Sequence, residues 1–242
     1  MRDEGGQMRE RVIGVLGGMG PEATIAFYAR LVAQTPATCD QDHLRVIIDS
    51  NPKIPDRTAA LVAGGASPVP AMVASIDALG RAGAEFVVVP CVSAHAFLDE
   101  LRVRVSLPVL SIFDAVADDI RGDPRGIGRV GLLATAGTAR AGLFARYLER
   151  QGIVVDLPGA PDQDAVMAAI YEVKSGPTGA RRAELRDGLR AVAGRLVAGG
   201  AQAIVLGCTE IPLIIGRDDA PVPVFDALDA LARMARRAAR EG

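Results

Sequence analysis

Two cysteines stand at matched places in this sequence. Gly83-Ala-Glu-Phe-Val-Val-Val-Pro-Cys91 and Gly200-Ala-Gln-Ala-Ile-Val-Leu-Gly-Cys208 are similar runs separated by 117 residues. Each thiol closes an apolar run that reads as a buried strand, and α/β proteins bind ligands just outside the carboxyl ends of such strands. A pair of thiols facing one carbon can remove a proton from one side and supply one to the other, which inverts a centre next to a carboxylate. One thiol must then enter as thiolate. A free thiol titrates near ~8.5, and a helix N-terminus or a nearby cation lowers that. Helical patterns at 93–103 and 209–215 follow the two cysteines. The positive end of a helix is therefore expected beside each, with free N–H groups able to hold a carboxylate. A lone strand-end cysteine is ordinarily a small buried hydrophobe; two at equivalent positions of a repeat read as a working pair.

The elements that must position them alternate along the chain. Strand patterns fall at 12–16, 45–49, 85–90, 109–112, 129–134, 153–156, 203–206 and 222–225. Helical patterns fall between them at 21–34, 69–81, 138–150, 162–174 and 181–198, with Pro21 in a first turn and Thr138 as an N-cap. This alternation predicts parallel sheets of the α/β class. A duplication is also legible. Arg11-Val-Ile-Gly-Val-Leu-Gly17 matches Gly128-Arg-Val-Gly-Leu-Leu-Ala134, with Gly14 and Gly131 again 117 apart, and Pro108-Val109 matches Pro223-Val224 at 115. The expected architecture is two Rossmann-like half-domains related by a pseudo-two-fold axis. One spans 11–112 and recovers 222–240; the other spans 113–217. The cysteines then face one another across the cleft.

Composition narrows the partners. The 242 residues are 50% hydrophobic but only 4% aromatic, without tryptophan, which suits buried strands and helices rich in Ala, Val, Leu and Ile. With 27 basic and 29 acidic residues there is no basic surplus to suggest nucleic acid. No apolar run approaches the ~20 residues of a membrane span, and no signal-peptide pattern is evident. Three cysteines without a disulfide-framework spacing fit a reducing, cytoplasmic setting.

Further motifs make the reading specific. Gly17-Gly-Met-Gly-Pro-Glu-Ala-Thr24, Asp49-Ser-Asn-Pro52, Ile54-Pro-Asp-Arg-Thr58, Pro90-Cys-Val-Ser-Ala-His95, Ala169-Ile-Tyr-Glu-Val-Lys174 and Leu206-Gly-Cys-Thr-Glu-Ile-Pro212 run through almost the whole chain. In these the sequence resembles the aspartate/glutamate racemase family, which also contains hydantoin racemases, maleate isomerases and arylmalonate decarboxylases. The resemblance implies a cofactor-independent amino-acid racemase, active as a homodimer, with Cys91 and Cys208 as catalytic acid and base. It implies Arg57 as a carboxylate-binding residue and Lys174 as a second basic group near the substrate's side-chain carboxylate. Met19, Asn51, Ser93, Thr209 and Glu210 join the substrate-binding set. The departure is Val92, which stands where the family usually carries asparagine, so one side-chain hydrogen bond to the α-carboxylate is absent.

Other chemistries are less well served. The loop 14–20 lacks the G-x-G-x-x-G spacing of a dinucleotide site and is explained as a tight turn lining the cleft. Cys39-x-x-x-His43 and Cys91-x-x-x-His95 are not zinc spacings, and no metal is expected. Of two lysines, Lys53 and Lys174, neither sits in a phosphate cup that pyridoxal phosphate would need. Two alternatives stay open: a different isomerisation or a hydantoin racemisation within the same fold, and a non-catalytic binder of a small carboxylate.

Overall fold

A computed structural model describes residues 10–176 and 178–240. It contains two parallel sheets. In the first, β1 (Ile13–Gly17) lies between β2 (Val46–Ser50) and β3 (Phe86–Val88), and Val109 forms a parallel bridge to Val87 on the far side of β3. In the second, the order is β5 (Val154–Asp156), β4 (Arg129–Leu133), β6 (Ala203–Leu206), β7 (Val224–Asp226). The two orders are the same if Val109 stands for β7, so the duplication seen in the sequence is repeated in the strand order. β1, β3 and β6 are wholly buried, as continuous apolar runs require of strands covered on both faces. Gly14 and Gly131 sit mid-strand for a steric reason. A Cβ on Gly14 would meet that of Ala84 at 2.9 Å, and one on Gly131 would meet Leu196 and Ile204 at 2.9 Å.

Several helices fall where the patterns put them. α1 (Pro21–Gln34) opens with its proline, and α3 (Val69–Arg81) matches its predicted span. α2 (Arg57–Val62) and α4 (Leu98–Arg102) are short. Later come α5 (Ile112–Arg121), α6 (Ala136–Arg140), α7 (Leu143–Leu148), α8 (Ala160–Lys174), α9 (Gly179–Ala198) and α10 (Ala227–Arg240). The single helix expected over 138–150 is thus two, broken at Gly142, whose φ of 57° is left-handed. Thr138 is not the cap: Thr135 is, its side chain accepting from the Thr138 N–H. The strand expected at 109–112 is one bridge, because Ser111 caps α5 immediately after it.

The chain's return to the first half is divided. Helix α10 packs against α1 and α5, while β7 pairs with β6 in the second sheet and not in the first. The central apolar cluster accordingly draws on both sheets, with Ile13, Phe27 and Phe86 meeting Phe113, Phe144, Val205 and Leu231. Phe113 of α5 packs edge-on to Phe144 of α7, ring centroids 4.9 Å apart at 84°. Arg30 of α1 pairs with Asp226 at the end of β7 and with Asp229 of α10, both at 2.9 Å. Among the described residues no helix is long and apolar enough to cross a membrane.

Candidate active site

Cys91 and Cys208 line one cavity. The other walls are Met19, Asp56, Arg57, Thr58, Val92, Ser93, Thr135, Lys174, Thr209 and Glu210. Nine of the ten residues singled out from the sequence are therefore brought together. Asn51 is the exception: its side chain accepts from the Lys53 N–H at 3.0 Å, and its backbone packs under Gly18. Gly18 has φ of 85°, and a Cβ there would stand 2.4 Å from the Asn51 nitrogen, so the turn after β1 admits no other residue. Its N–H is held by the Thr24 hydroxyl at 2.9 Å, which fixes the loop carrying Met19.

Thr135, Thr58 and Asp56 are wall residues that the sequence reading missed. Thr135 follows β4 at the place that Gly18 holds after β1, 117 residues earlier, and that offset was the available signal. Its hydroxyl joins those of Ser93 (3.2 Å) and Thr138 (3.0 Å), and Ser93 meets Thr138 at 3.3 Å. This buried ring of hydroxyls sets Ser93 in place.

Arg57 keeps part of its donor set free. Arg57 is buried, with Nη1 donating to the carbonyls of Ile54 (3.1 Å) and Pro55 (2.9 Å) and Nη2 to Met19 (3.4 Å). Its Nε lies buried with no partner. A guanidinium has five N–H donors. Three are used by these carbonyls, so one on Nε and one on Nη2 remain, a number that matches the two oxygens of a carboxylate. The charge ladder is completed by Lys174, the last residue of α8, and by Glu210. Lys174 is exposed as a whole. Desolvation at its ammonium pushes the pKa down, but Glu210, Cys208 and Cys91 together outweigh it and the net shift is upward.

The helix ends expected beside the thiols are 3-10 segments, whose Ala94 and Glu210 N–H groups favour the thiolates of Cys91 and Cys208 but are outweighed by burial. Cys91 is followed by a 3-10 helix (Val92–Phe97), and Cys208 by a single 3-10 turn (Ile211–Leu213), neither of which has an α-helical dipole. Burial pushes the Cys91 thiol up, against the pull of the Arg57 guanidinium. Burial pushes the Cys208 thiol well up, and the Glu210 carboxylate adds to this. The Cys208 Sγ–H donates to Glu210 Oε2 at 3.0 Å. The unliganded site thus favours two neutral thiols.

Space is the remaining feature. The cavity lined by both cysteines holds about 10 Å³, room for roughly one water. Beside it lies a vestibule of about 380 Å³, lined by Gly18, Gly20, Pro21, Glu22, Ile54 and others, which shares Asp56, Arg57, Lys174 and Glu210 with the inner cavity.

Residues 16–235 match the family model described as Asp/Glu/Hydantoin racemase. The chain belongs to the Asp/Glu/hydantoin racemase family. A solved aspartate racemase of Picrophilus torridus is 32% identical and superposes with a TM-score of 0.84, over 95% of this chain and 94% of that one. A broad specificity amino-acid racemase of Bacillus subtilis is 23% identical over 92% of this chain and 95% of its own length. A glutamate racemase of Deinococcus radiodurans is 31% identical over 67% of this chain, and the match spans 54% of that enzyme's length.

Proposed function

We propose that this protein is a cofactor-independent amino-acid racemase in which Cys91 and Cys208 are the two acid/base groups. The observation that carries the reading is that both thiols, from equivalent strand ends of two like sheets, line one cavity with Arg57. In the proposed reaction the α-carboxylate docks on the free Nε and Nη2 donors of Arg57. One thiolate takes the α-proton, and the opposite thiol gives its proton to the other face of the carbanion. Charge that develops on the carboxylate is stabilised by Arg57, by Thr209 and by backbone N–H groups of the 3-10 segment after Cys91. Because burial holds both thiols neutral in the empty site, ionisation of one is coupled to the arrival of the substrate's ammonium and to the cations Arg57 and Lys174. Lys174 stands at the vestibule, where a second carboxylate of aspartate or glutamate would point. Val92 contributes no hydrogen bond and fills the inner wall with apolar bulk. The proposal includes a homodimer and a cytoplasmic setting, on the strength of the family and of the three free thiols.

The test is proton NMR of the purified protein in D2O, with no added cofactor, against a panel of L- and D-amino acids that includes aspartate and glutamate. The expected result is loss of an α-proton signal for at least one of them, and no loss with Cys91→Ala. No exchange across the panel would contradict the reading. It would favour the non-catalytic binder that Val92 recommends as the alternative.

A further inference from the structure

The repeat that makes the two thiols equivalent also exposes how their surroundings differ. At the offset of 117, Arg57 corresponds to Lys174, Val92 to Thr209 and Ser93 to Glu210. The first half therefore carries a hydroxyl where the second carries a carboxylate. Ser93 turns its hydroxyl to Thr135 and Thr138. Glu210 turns to the thiol beside it, with Oε2 accepting from Cys208 Sγ–H at 3.0 Å and from the Thr209 hydroxyl at 3.3 Å. Its Oε1 is buried with no partner, so no neighbouring donor neutralises that side of the carboxylate. In this contact sulfur is the donor and the carboxylate the acceptor.

We infer that Glu210 is a positioning residue that keeps the site's mobile proton on Cys208, so that Cys91 is the first of the two thiols to ionise. The other groups around the pair act on both thiols: Glu210 also disfavours the Cys91 thiolate, though less than Arg57 favours it, Lys174 favours both thiolates, and the Glu210 N–H favours that of Cys208. Arg57, from α2, favours the Cys91 thiolate, as does an Ala94 N–H directed at its sulfur. Lys174, from α8, is drawn to Glu210 more than to either thiol. Asp56 spends its carboxylate on the Ala59 N–H at 2.7 Å, capping α2. His95 is buried, held neutral, and contacts the Cys91 carbonyl, not its sulfur.

The consequence for catalysis rests on the racemase reading; the order of ionisation does not. In a racemase with this order, the free enzyme is already set for the enantiomer whose α-hydrogen faces Cys91. The equilibrium constant between enantiomers is one, so kcat/KM must be equal in the two directions. The asymmetry then appears as kcat and KM that differ in the same proportion.

The experiment is an NMR pH titration of the full chain labelled with 13Cβ-cysteine, in a Cys39→Ser background that removes the exposed third thiol. A Cys91→Ala sample assigns the Cys208 signal. The expected result is that Cys91 converts to thiolate at lower pH than Cys208, and that Glu210→Gln moves the Cys208 titration to lower pH while moving Cys91 less. If Glu210→Gln does not fold, Glu210→Asp, which withdraws the carboxylate by one methylene, must move Cys208 in the same direction. Cys208 ionising first, or either folded variant leaving it unmoved, would overturn the inference. Such a result would leave racemisation itself intact, whereas absence of α-proton exchange would leave the titration order intact.

Discussion

Replacing Arg57 by lysine keeps the positive charge and removes the fork, which separates two roles that the arginine combines. Three of its five N–H donors hold the carbonyls of Ile54, Pro55 and Met19, and the two left, on Nε and Nη2, match a carboxylate. An ammonium can offer the substrate one hydrogen bond in place of two. The loss of one charge-assisted hydrogen bond is worth about 1.5–3 kcal/mol, which is roughly a 10- to 150-fold fall in kcat/KM. The structural role adds a second effect. An ammonium on a shorter lever does not serve three carbonyls at once, and a buried acceptor left unpaired costs about 1–3 kcal/mol. The urea midpoint should therefore fall along with activity, while the Cys91 titration shifts little because the charge remains. The assay pairs α-proton exchange rates over a range of substrate concentration with urea unfolding of the same samples. Wild-type kcat/KM in Arg57→Lys would refute the assignment of the fork to the carboxylate, whatever happened to stability.

Three further outcomes follow from the same geometry. Cys91→Ala and Cys208→Ala should each abolish racemisation, measured by polarimetry or chiral chromatography; near wild-type turnover in either would end the two-thiol account. Val92→Asn should raise turnover of aspartate or glutamate. Because Val92 is buried against the central cluster, the same change should lower stability by about 1–3 kcal/mol, and an unchanged rate would mean a pocket adapted to another ligand. His95 is buried, and its pKa is lowered by desolvation from 6.5 to about 4. The unfolded chain thus binds the proton more readily between those values, so this group's contribution is present above about pH 6.5 and lost as pH falls through about 4. That contribution is on the order of 3 kcal/mol. Urea midpoints across this range should fall less steeply for His95→Gln; equal slopes would remove His95 as the cause.

The thiol pair was legible because duplication left a mark in the sequence: two cysteines after two similar apolar runs, 117 residues apart. Strands such as β6 and helices such as α1 and α3 were legible for a simpler reason, since apolar runs and a first-turn proline are local signals. What was not legible depended on tertiary context. The pattern over 93–103 reads as a helix, but its first turns tighten into a 3-10 form where His95 must reach the carbonyls of Cys91 and Leu110. Nothing local says that 109–112 supplies only one bridge, or that β7 joins β6 while α10 crosses to α1. Those are choices made by the packing of both halves around Phe113 and its neighbours. Thr135 was missed because its neighbours resemble any strand end, and its role emerges only when Ser93 arrives from the other half. Asn51 lies outside the cavity lining, and its motif serves the turn beneath Gly18.

The central claim is that protons move on two different thiols, and the label at early times tests it directly. In D2O, with one enantiomer of a turned-over amino acid, chiral separation followed by mass spectrometry reports where deuterium enters first. With Cys91 and Cys208 on opposite faces, the product enantiomer should carry solvent deuterium at its α-carbon while unreacted substrate keeps protium. Equal early labelling of both enantiomers would mean that one group serves both faces, and would contradict the account.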